Sequence, residues 1–399
     1  MLIKNFIACA CLFPAVGCAA DAPPKLQPGR EDKVMQLASA KLIAFDATQP
    51  EKTAYPNDGR GNWTTVTSDD WVAGFYPGCL WLTYEYLHIN NDPSAEKLKE
   101  LAIAWTAGME KEKYNRETHD TGFMLMCSFG NGYRLTGKEE YKTILQTGAE
   151  SLASRVLPST GMIRAWNNPK HFIGITDTLL NLQLLTWAAN ENNNYLPIAR
   201  AHAKKTIALL QRPNGSMAHV AKMDTETGQM IAHDTTQGIN AKSAWSRGQA
   251  WAIYGFADIY AVTGDPEFLA AATKAADFYI RHLPPDRIPP ADFDSNLKGI
   301  SFKDSSAAAI AAGGLLKLAL MTTGERQAKY WREAVATLNT LTSPKYLSED
   351  SKRHGLLKHG ARKHVTDPND ADTNTSLIFG DYYLLDALRI YRTSTPPSA

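Results

Sequence analysis

Tyr133-Arg134-Leu135-Thr136-Gly137-Lys138-Glu139-Glu140-Tyr141 closes one apolar run and opens another. The same punctuation returns at Tyr260-Ala261-Val262-Thr263-Gly264-Asp265-Pro266-Glu267-Phe268 and at Leu320-Met321-Thr322-Thr323-Gly324-Glu325-Arg326-Gln327. In each, glycine lies just past the last apolar turn, where a left-handed C-cap needs a residue without a side chain. Acidic residues then fall in the first turn of the next run, where they suit a helix N-terminus. The unit is a helical hairpin with a tight turn, and it repeats.

Apolar residues at three- and four-residue spacing predict helices over 31–46, 69–88, 94–114, 120–136, 138–156 and 175–191. The same spacing predicts 194–212, 243–263, 265–282, 304–323, 325–342 and 375–393. No convincing run of alternating strands competes, although 215–231 has room for a short β-hairpin. Six hairpins form either an open solenoid or a closed ring. In a ring the inner helix of each pair is buried all round and the outer one is amphipathic. WVAGFYPGCLWLTYEYL (71–87) and AAAIAAGGLLKLAL (307–320) are apolar or small throughout, whereas AEKLKELAIAWTAGMEKEKY (95–114) and ERQAKYWREAVATLNTL (325–341) carry a charged face. The alternation predicts an all-α (α/α)6 barrel, one domain over 31–395, with the longer connecting segments gathered at one end around a cleft.

The chain has 399 residues, a formal net charge of +1 and 44% hydrophobic content, which describes a globular protein and argues against coating a polyanion such as nucleic acid. Residues 1–20 read as a secretory signal and 21–30 as a Pro-rich linker. Lys4 follows the start, Phe6 to Val16 is too short an apolar stretch to span a bilayer, and small residues lead to Ala20. The expectation is export to the periplasm with cleavage after Ala20. The alternative is a lipid anchor at Cys18, for which Ala15-Val16-Gly17 is an imperfect match. Three of the five cysteines lie in that segment. Cys79 and Cys127 sit in apolar runs and read as buried free thiols.

The polar residues that attract attention fall in the longer connections or just after them. His119-Asp120 opens an apolar run in THDTGF, and Asp120 either caps that helix or stands at the rim of a pocket. Trp166 lies in IRAW, Asp177 in ITDT, His219 in MAHV, Gln237 in TTQG, and Arg247 with Trp251 in SAWSRGQAW. Each has a structural role open to it as cap, turn, ion-pair partner or core. One polar residue at the start of each inner helix is nevertheless what a pocket at a barrel mouth would show. Two carboxylates in an aromatic cleft suggest glycoside chemistry, with an acid and a base flanking the reacting bond. No HxxxH, HExxH, CxxC, GxSxG or P-loop pattern occurs, so no metal or nucleotide site is expected.

DWVAGFYPGCLWLTYE, HDTGFMLMCSFGNGYRLTG, GMIRAWN, ITDTLLNLQLLTWAA, TTQGINAKSAWSRGQAWAIYGFADIY, KDSSAAAIAAGGLL and IFGDYYLLDAL, in this order, resemble the unsaturated glucuronyl hydrolases over roughly residues 60 to 390. The resemblance implies an (α/α)6 barrel that removes a 4,5-unsaturated uronic acid from the non-reducing end of lyase-generated oligosaccharides. It also implies hydration of the C4=C5 bond, with Asp177 as general acid/base and Asp120 as the supporting carboxylate. His119, His219, Gln237 and Arg247 would bind or polarise the uronate, and Trp166 and Trp251 would offer stacking faces. Tyr76, in GFYPG, stands where the family pattern has Trp, and is carried over as a substrate contact. No cofactor is implied. The basic run Lys358 to His364 is either a solvated loop or a site for a sulfate or carboxylate on the leaving sugar. The rival readings are an unsaturated rhamnogalacturonyl hydrolase on the same barrel, an exported glycan-binding protein without turnover, and an ordinary inverting glycosidase.

Overall fold

A computed structural model describes residues 22–295 and 302–397. The segment read as a secretory signal, with Cys18 in it, lies outside the described residues. Within them the helices are α1 (Arg30–Ala47), α2 (Phe75–Ile89), α3 (Ala95–Ala107), α4 (Thr121–Leu125), α5 (Asn131–Thr136) and α6 (Glu139–Ala153). There follow α7 (Thr178–Ala188), α8 (Tyr195–Leu210), α9 (Ser246–Thr263), α10 (Pro266–His282), α11 (Ser305–Met321), α12 (Gly324–Leu341) and α13 (Ile378–Thr393). One predicted helix, 120–136, is interrupted. Met126–Gly130 forms a π-helical turn between α4 and α5, the kind of insertion that bends a helix locally.

The ring closes. α2, α4–α5, α7, α9, α11 and α13 pack in that cyclic order, and α13 returns against α2. α3, α6, α8, α10 and α12 each pair with the inner helix before them, and α1 joins the outer layer beside α2 and α13. Burial follows the sequence pattern. α11 is covered around almost its whole circumference, whereas α12 buries one stripe through Tyr330, Trp331, Ala334, Val335, Leu338 and Leu341. That apolar stripe is what drives an amphipathic helix onto a core. Gly137 and Gly264 take the left-handed conformation, and each donates its N–H back to the carbonyl four residues earlier, at 2.8 Å. The third glycine departs slightly. α11 ends at Met321, and left-handed Gly324 opens α12 instead of closing α11.

Two expectations need correction. Short strands occur at the mouth of the barrel. Phe172–Ile175, Val220–Met223 and Met230–Asp234 form a three-stranded antiparallel sheet, in which Ile175 pairs with Val220. The predicted hairpin is its second half, and its turn is set by the Asp224 carboxylate accepting the N–H groups of Glu226 and Thr227. The segment read as a linker is also docked from Pro24 onward. The Pro24 carbonyl accepts from the Trp331 indole at 2.9 Å, and the Leu26 N–H reaches the Tyr391 hydroxyl at 3.0 Å. Cys79 and Cys127 are buried free thiols, as expected. No helix among the described residues is long and apolar enough to cross a membrane.

Candidate active site

Residues at or just before the starts of α4, α7, α9 and α13 face a common pocket of about 200 Å³. Asp120 precedes α4, Asp177 precedes α7, Arg247 lies in the first turn of α9, and Phe379 in that of α13. His119, Trp166, Gln237, Trp71, Ile175 and Arg362 complete the lining. Close approach of α4 to α7 depends on Gly122. A Cβ there would stand 2.5 Å from the Asn181 Cα, so the glycine of HDTGF is what lets the two aspartates share a site.

Neither aspartate caps its helix through its side chain. The Asp120 carboxylate accepts from the Thr118 hydroxyl at 2.7 Å and the Asn181 amide at 3.3 Å. The capping reading therefore fails for both. The Asn181 orientation is set by the Phe123 N–H, a donor that must meet the Asn181 Oδ1, at 2.7 Å. The Asn181 Nδ2 then points to the His119 Nδ1 at 3.4 Å, alongside the Thr178 hydroxyl at 2.8 Å. An Nδ1 that accepts leaves the proton on Nε2, which lies 3.2 Å from the Asp120 Oδ1. His119 is neutral: burial, with the Arg155 charge second, pushes its imidazole down to about 3.

Burial raises both carboxyls, but to different levels. Asp120 rises to about 6, restrained by its Thr118 and Asn181 hydrogen bonds. Asp177 rises to about 7; burial is the main cause, Arg247 opposes it, and Asp120 adds to it. Besides the Arg247 charge and its own backbone N–H, Asp177 has one side-chain donor, the Thr176 hydroxyl at 3.1 Å. Burial thus holds both carboxyls well above the ordinary carboxylate range, within reach of proton exchange near neutral pH.

His219 stacks on Trp245 with ring centroids 4.3 Å apart. Its Nδ1 meets the Thr235 hydroxyl at 3.1 Å, and its buried Nε2, 3.8 Å from the Asp177 Oδ2, has no hydrogen-bond partner. That approach is not an ion pair, because burial and then Arg247 push the imidazole to about 3. Arg247 is 1% exposed and lies over the faces of Trp245 and Phe379. It donates to the Asp304 carboxylate at 2.9 Å and to the carbonyls of Ala361 and Arg362 at 2.6 and 2.7 Å. Gln237 also donates to the Arg362 carbonyl, at 3.2 Å. Much of the work of Arg247 is thus to tie the 361–362 segment to the barrel.

Of the residues expected from the sequence, His119, Asp120, Trp166, Asp177, Gln237 and Arg247 meet in this pocket, with His219 directly behind Asp177. Two do not. Tyr76 is fully buried on the outer side of α2, its hydroxyl donating to the Leu42 carbonyl at 2.8 Å and its ring against Phe45 and Trp105. Trp251 is likewise fully buried, edge-on to Tyr383 and beside Phe123. Residue 76 falls on the face of α2 turned toward α1 and α3, and residue 251 lies one turn below Arg247. The aromatic residue of that WVAGFYP segment which does line the pocket is Trp71, one turn before α2 and packed on Phe379 at 4.9 Å. Its position before an inner helix was the signal available. The basic run divides: the Arg362 side chain lines the pocket and pairs with Asp58 at 2.9 Å, Lys363 pairs with Asp372 at 2.6 Å, and Lys358 and His359 face another cavity. Among the described residues no group of three or more His, Cys, Asp or Glu is placed to hold a metal ion.

No family model matches the chain. It is 37% identical over 333 residues to a protein of Formosa agariphila named unsaturated glucuronyl hydrolase, covering 81% of this chain and 80% of that one. A protein of the same name from a Bacillus species is 32% identical over 351 residues, covering 85% and 90%. The crystal structure of an unsaturated glucuronyl hydrolase specific for heparin superimposes with a TM-score of 0.83 at 33% identity, covering 92% of this chain and 99% of that one. Likeness of this extent, on a barrel whose mouth holds the paired aspartates, makes this chain a member of the unsaturated glucuronyl hydrolase family.

Proposed function

We propose that the protein removes the 4,5-unsaturated glucuronic acid from the non-reducing end of lyase-generated oligosaccharides, with Asp177 as the group that moves the proton. The observation that carries the assignment is the meeting of two buried carboxyls, Asp120 and Asp177, both raised by burial, in one aromatic pocket with Arg247 and Arg362. Protonated Asp177 donates to C4 of the vinyl ether, and positive charge develops at C5 and the ring oxygen. A water adds at C5 and returns its proton to Asp177, so that one water is consumed and the acid is regenerated. The hemiketal opens to a ketone at C5, and the hemiacetal left at C1 releases the leaving sugar without an enzyme nucleophile.

Asp120, held by Thr118 and Asn181, keeps the proton on Asp177 when its own carboxyl is charged and accepts from ring hydroxyls. The Nε2 of His219, without a partner in the chain, is a donor suited to a substrate oxygen beside Asp177. The pocket cations Arg247 and Arg362 suit the uronate, and Trp71 and Trp166 offer faces to the ring.

Unsaturated disaccharides absorb in the near ultraviolet, and hydration destroys that absorbance. Loss of signal with the wild type and none with Asp177→Asn is the expected result. Binding without loss would favour a glycan-binding protein, and turnover only of saturated glycosides an ordinary inverting glycosidase. Preference for unsaturated galacturonyl-rhamnose would favour the rhamnogalacturonyl reading. Export to the periplasm belongs to the same proposal, resting on the composition of residues 1–20. Cell fractionation with the mass of the mature N-terminus tests it and separates cleavage after Ala20 from lipidation at Cys18.

A further inference from the structure

A second cavity, of about 440 Å³, lies on the other side of the wall that carries Arg362. The wall is thin. Asp58 holds the Arg362 guanidinium, and its neighbour Gly59 lines the second cavity. Gly360 bridges Thr375, which with Ser376 also faces the second cavity, whereas Phe379 faces the first.

Two features point to a ligand. The first is unmet hydrogen bonding. Ser348 and Ser376 both line the cavity, and each has a buried hydroxyl with no partner; Ser348 is only 3% exposed. Such a hydroxyl costs about 1–3 kcal/mol until something bonds to it. The second is charge. The lining carboxylates are matched, Glu349 with Lys33 at 2.7 Å and Asp350 with Arg353 at 3.6 Å. Arg60 and Lys358 are not matched by a carboxylate. Arg60 donates to the carbonyls of Asp370 and Thr373, and Lys358 to that of Pro344 at 2.7 Å. At the rim, His359 and Asn374 are bonded to each other at 2.5 Å and both hold positive φ, the region in which Asn and His are enriched among non-glycine residues.

The Ser348 and Ser376 hydroxyls, turned into the cavity about their side-chain bonds, suit sugar hydroxyls, and cations without an ion-pair partner suit a carboxylate or sulfate. We propose that this cavity is a second saccharide site, taking an anionic sugar, separate from the pocket of Asp120 and Asp177. The choice of an anionic sugar over other anions rests on the activity proposed above.

The test titrates the Asp177→Asn protein with a saturated chondroitin sulfate oligosaccharide, which lacks the C4=C5 bond, and with a neutral cello-oligosaccharide, by calorimetry. A second protein adds Lys358→Ala and Ser376→Ala to Asp177→Asn. The same pair of substitutions, in a chain with Asp177 intact, is assayed on unsaturated disaccharide. Saturable binding of the sulfated ligand, weakened about tenfold or more by the pair (about 1.4 kcal/mol) while disaccharide turnover stays within about twofold, is expected. Binding that the pair leaves unchanged, no binding at millimolar ligand, or equal binding of the neutral ligand would overturn the proposal. If binding behaves as expected but unsaturated disaccharide is not consumed by the wild type, the second site stands and the activity assignment falls.

Discussion

Replacing Asp177 by Asn should abolish turnover and, at alkaline pH, make the protein more stable. In the fold the carboxyl titrates at about 7 against an ordinary value of 3.8, chiefly because burial disfavours its charge. A carboxyl raised by folding contributes fully below its unfolded pKa, and that contribution is lost as pH rises through the folded pKa. At about 1.36 kcal/mol per pH unit the ionised group opposes folding by about 1.5 kcal/mol at pH 5 and about 4 kcal/mol at pH 8. Asn carries no such dependence. The stability difference between Asp177→Asn and wild type should therefore grow in the variant's favour by about 2–3 kcal/mol between pH 5 and pH 8. Urea unfolding at several pH values across that range, monitored by tryptophan fluorescence, measures it; the midpoint must shift without a change in slope. A difference that stays flat with pH, or a variant less stable than wild type at pH 8, would refute the reasoning. Asp177 would then be a structural residue whose charge the fold accommodates.

Gly122→Ala should lower both stability and turnover, because the added methyl would stand 2.5 Å from the Asn181 Cα and push Asp120 off Asp177; thermal unfolding and the near-ultraviolet assay report the two effects. Tyr76→Phe should cost about 1 kcal/mol through the lost bond to the Leu42 carbonyl and leave KM unchanged, whereas a raised KM would restore Tyr76 as a substrate contact. Trp71→Ala should raise KM several-fold with kcat much less affected, since the ring offers binding surface and no proton; equal loss in kcat would contradict that role. Arg362→Ala combined with Lys363→Ala should raise KM more for a sulfated than an unsulfated unsaturated disaccharide, and equal effects on both would remove the idea of a sulfate contact here.

The barrel was legible because its determinants are local. Glycine just past a helix, as at Gly137 and Gly264, is a short-range signal, and the contrast between α11 and α12 can be read from which residues a turn of helix would bury. The departures arise where distant contacts act. Phe172–Ile175 forms a strand because Val220–Met223 lies beside it, and residues 24–27 are ordered by Trp331, Asn339 and Tyr391, over three hundred positions away.

The site divides in the same way. That His119, Asp120, Asp177, Gln237 and Arg247 belong together came from the sequence alone, through their places at inner-helix starts and their resemblance to a known family. The resemblance also gave the proton to Asp177, but the physical ground for that assignment is not in the sequence. It lies in burial that only the closed ring produces and in which groups reach each carboxylate, Thr118 and Asn181 at Asp120 but the Thr176 hydroxyl and the Arg247 charge at Asp177. Tyr76 and Trp251 were misassigned for a related reason. Sequence places an aromatic residue on a helix, but which side of that helix meets the pocket is set by the angle at which six inner helices pack, and both rings turn into the core.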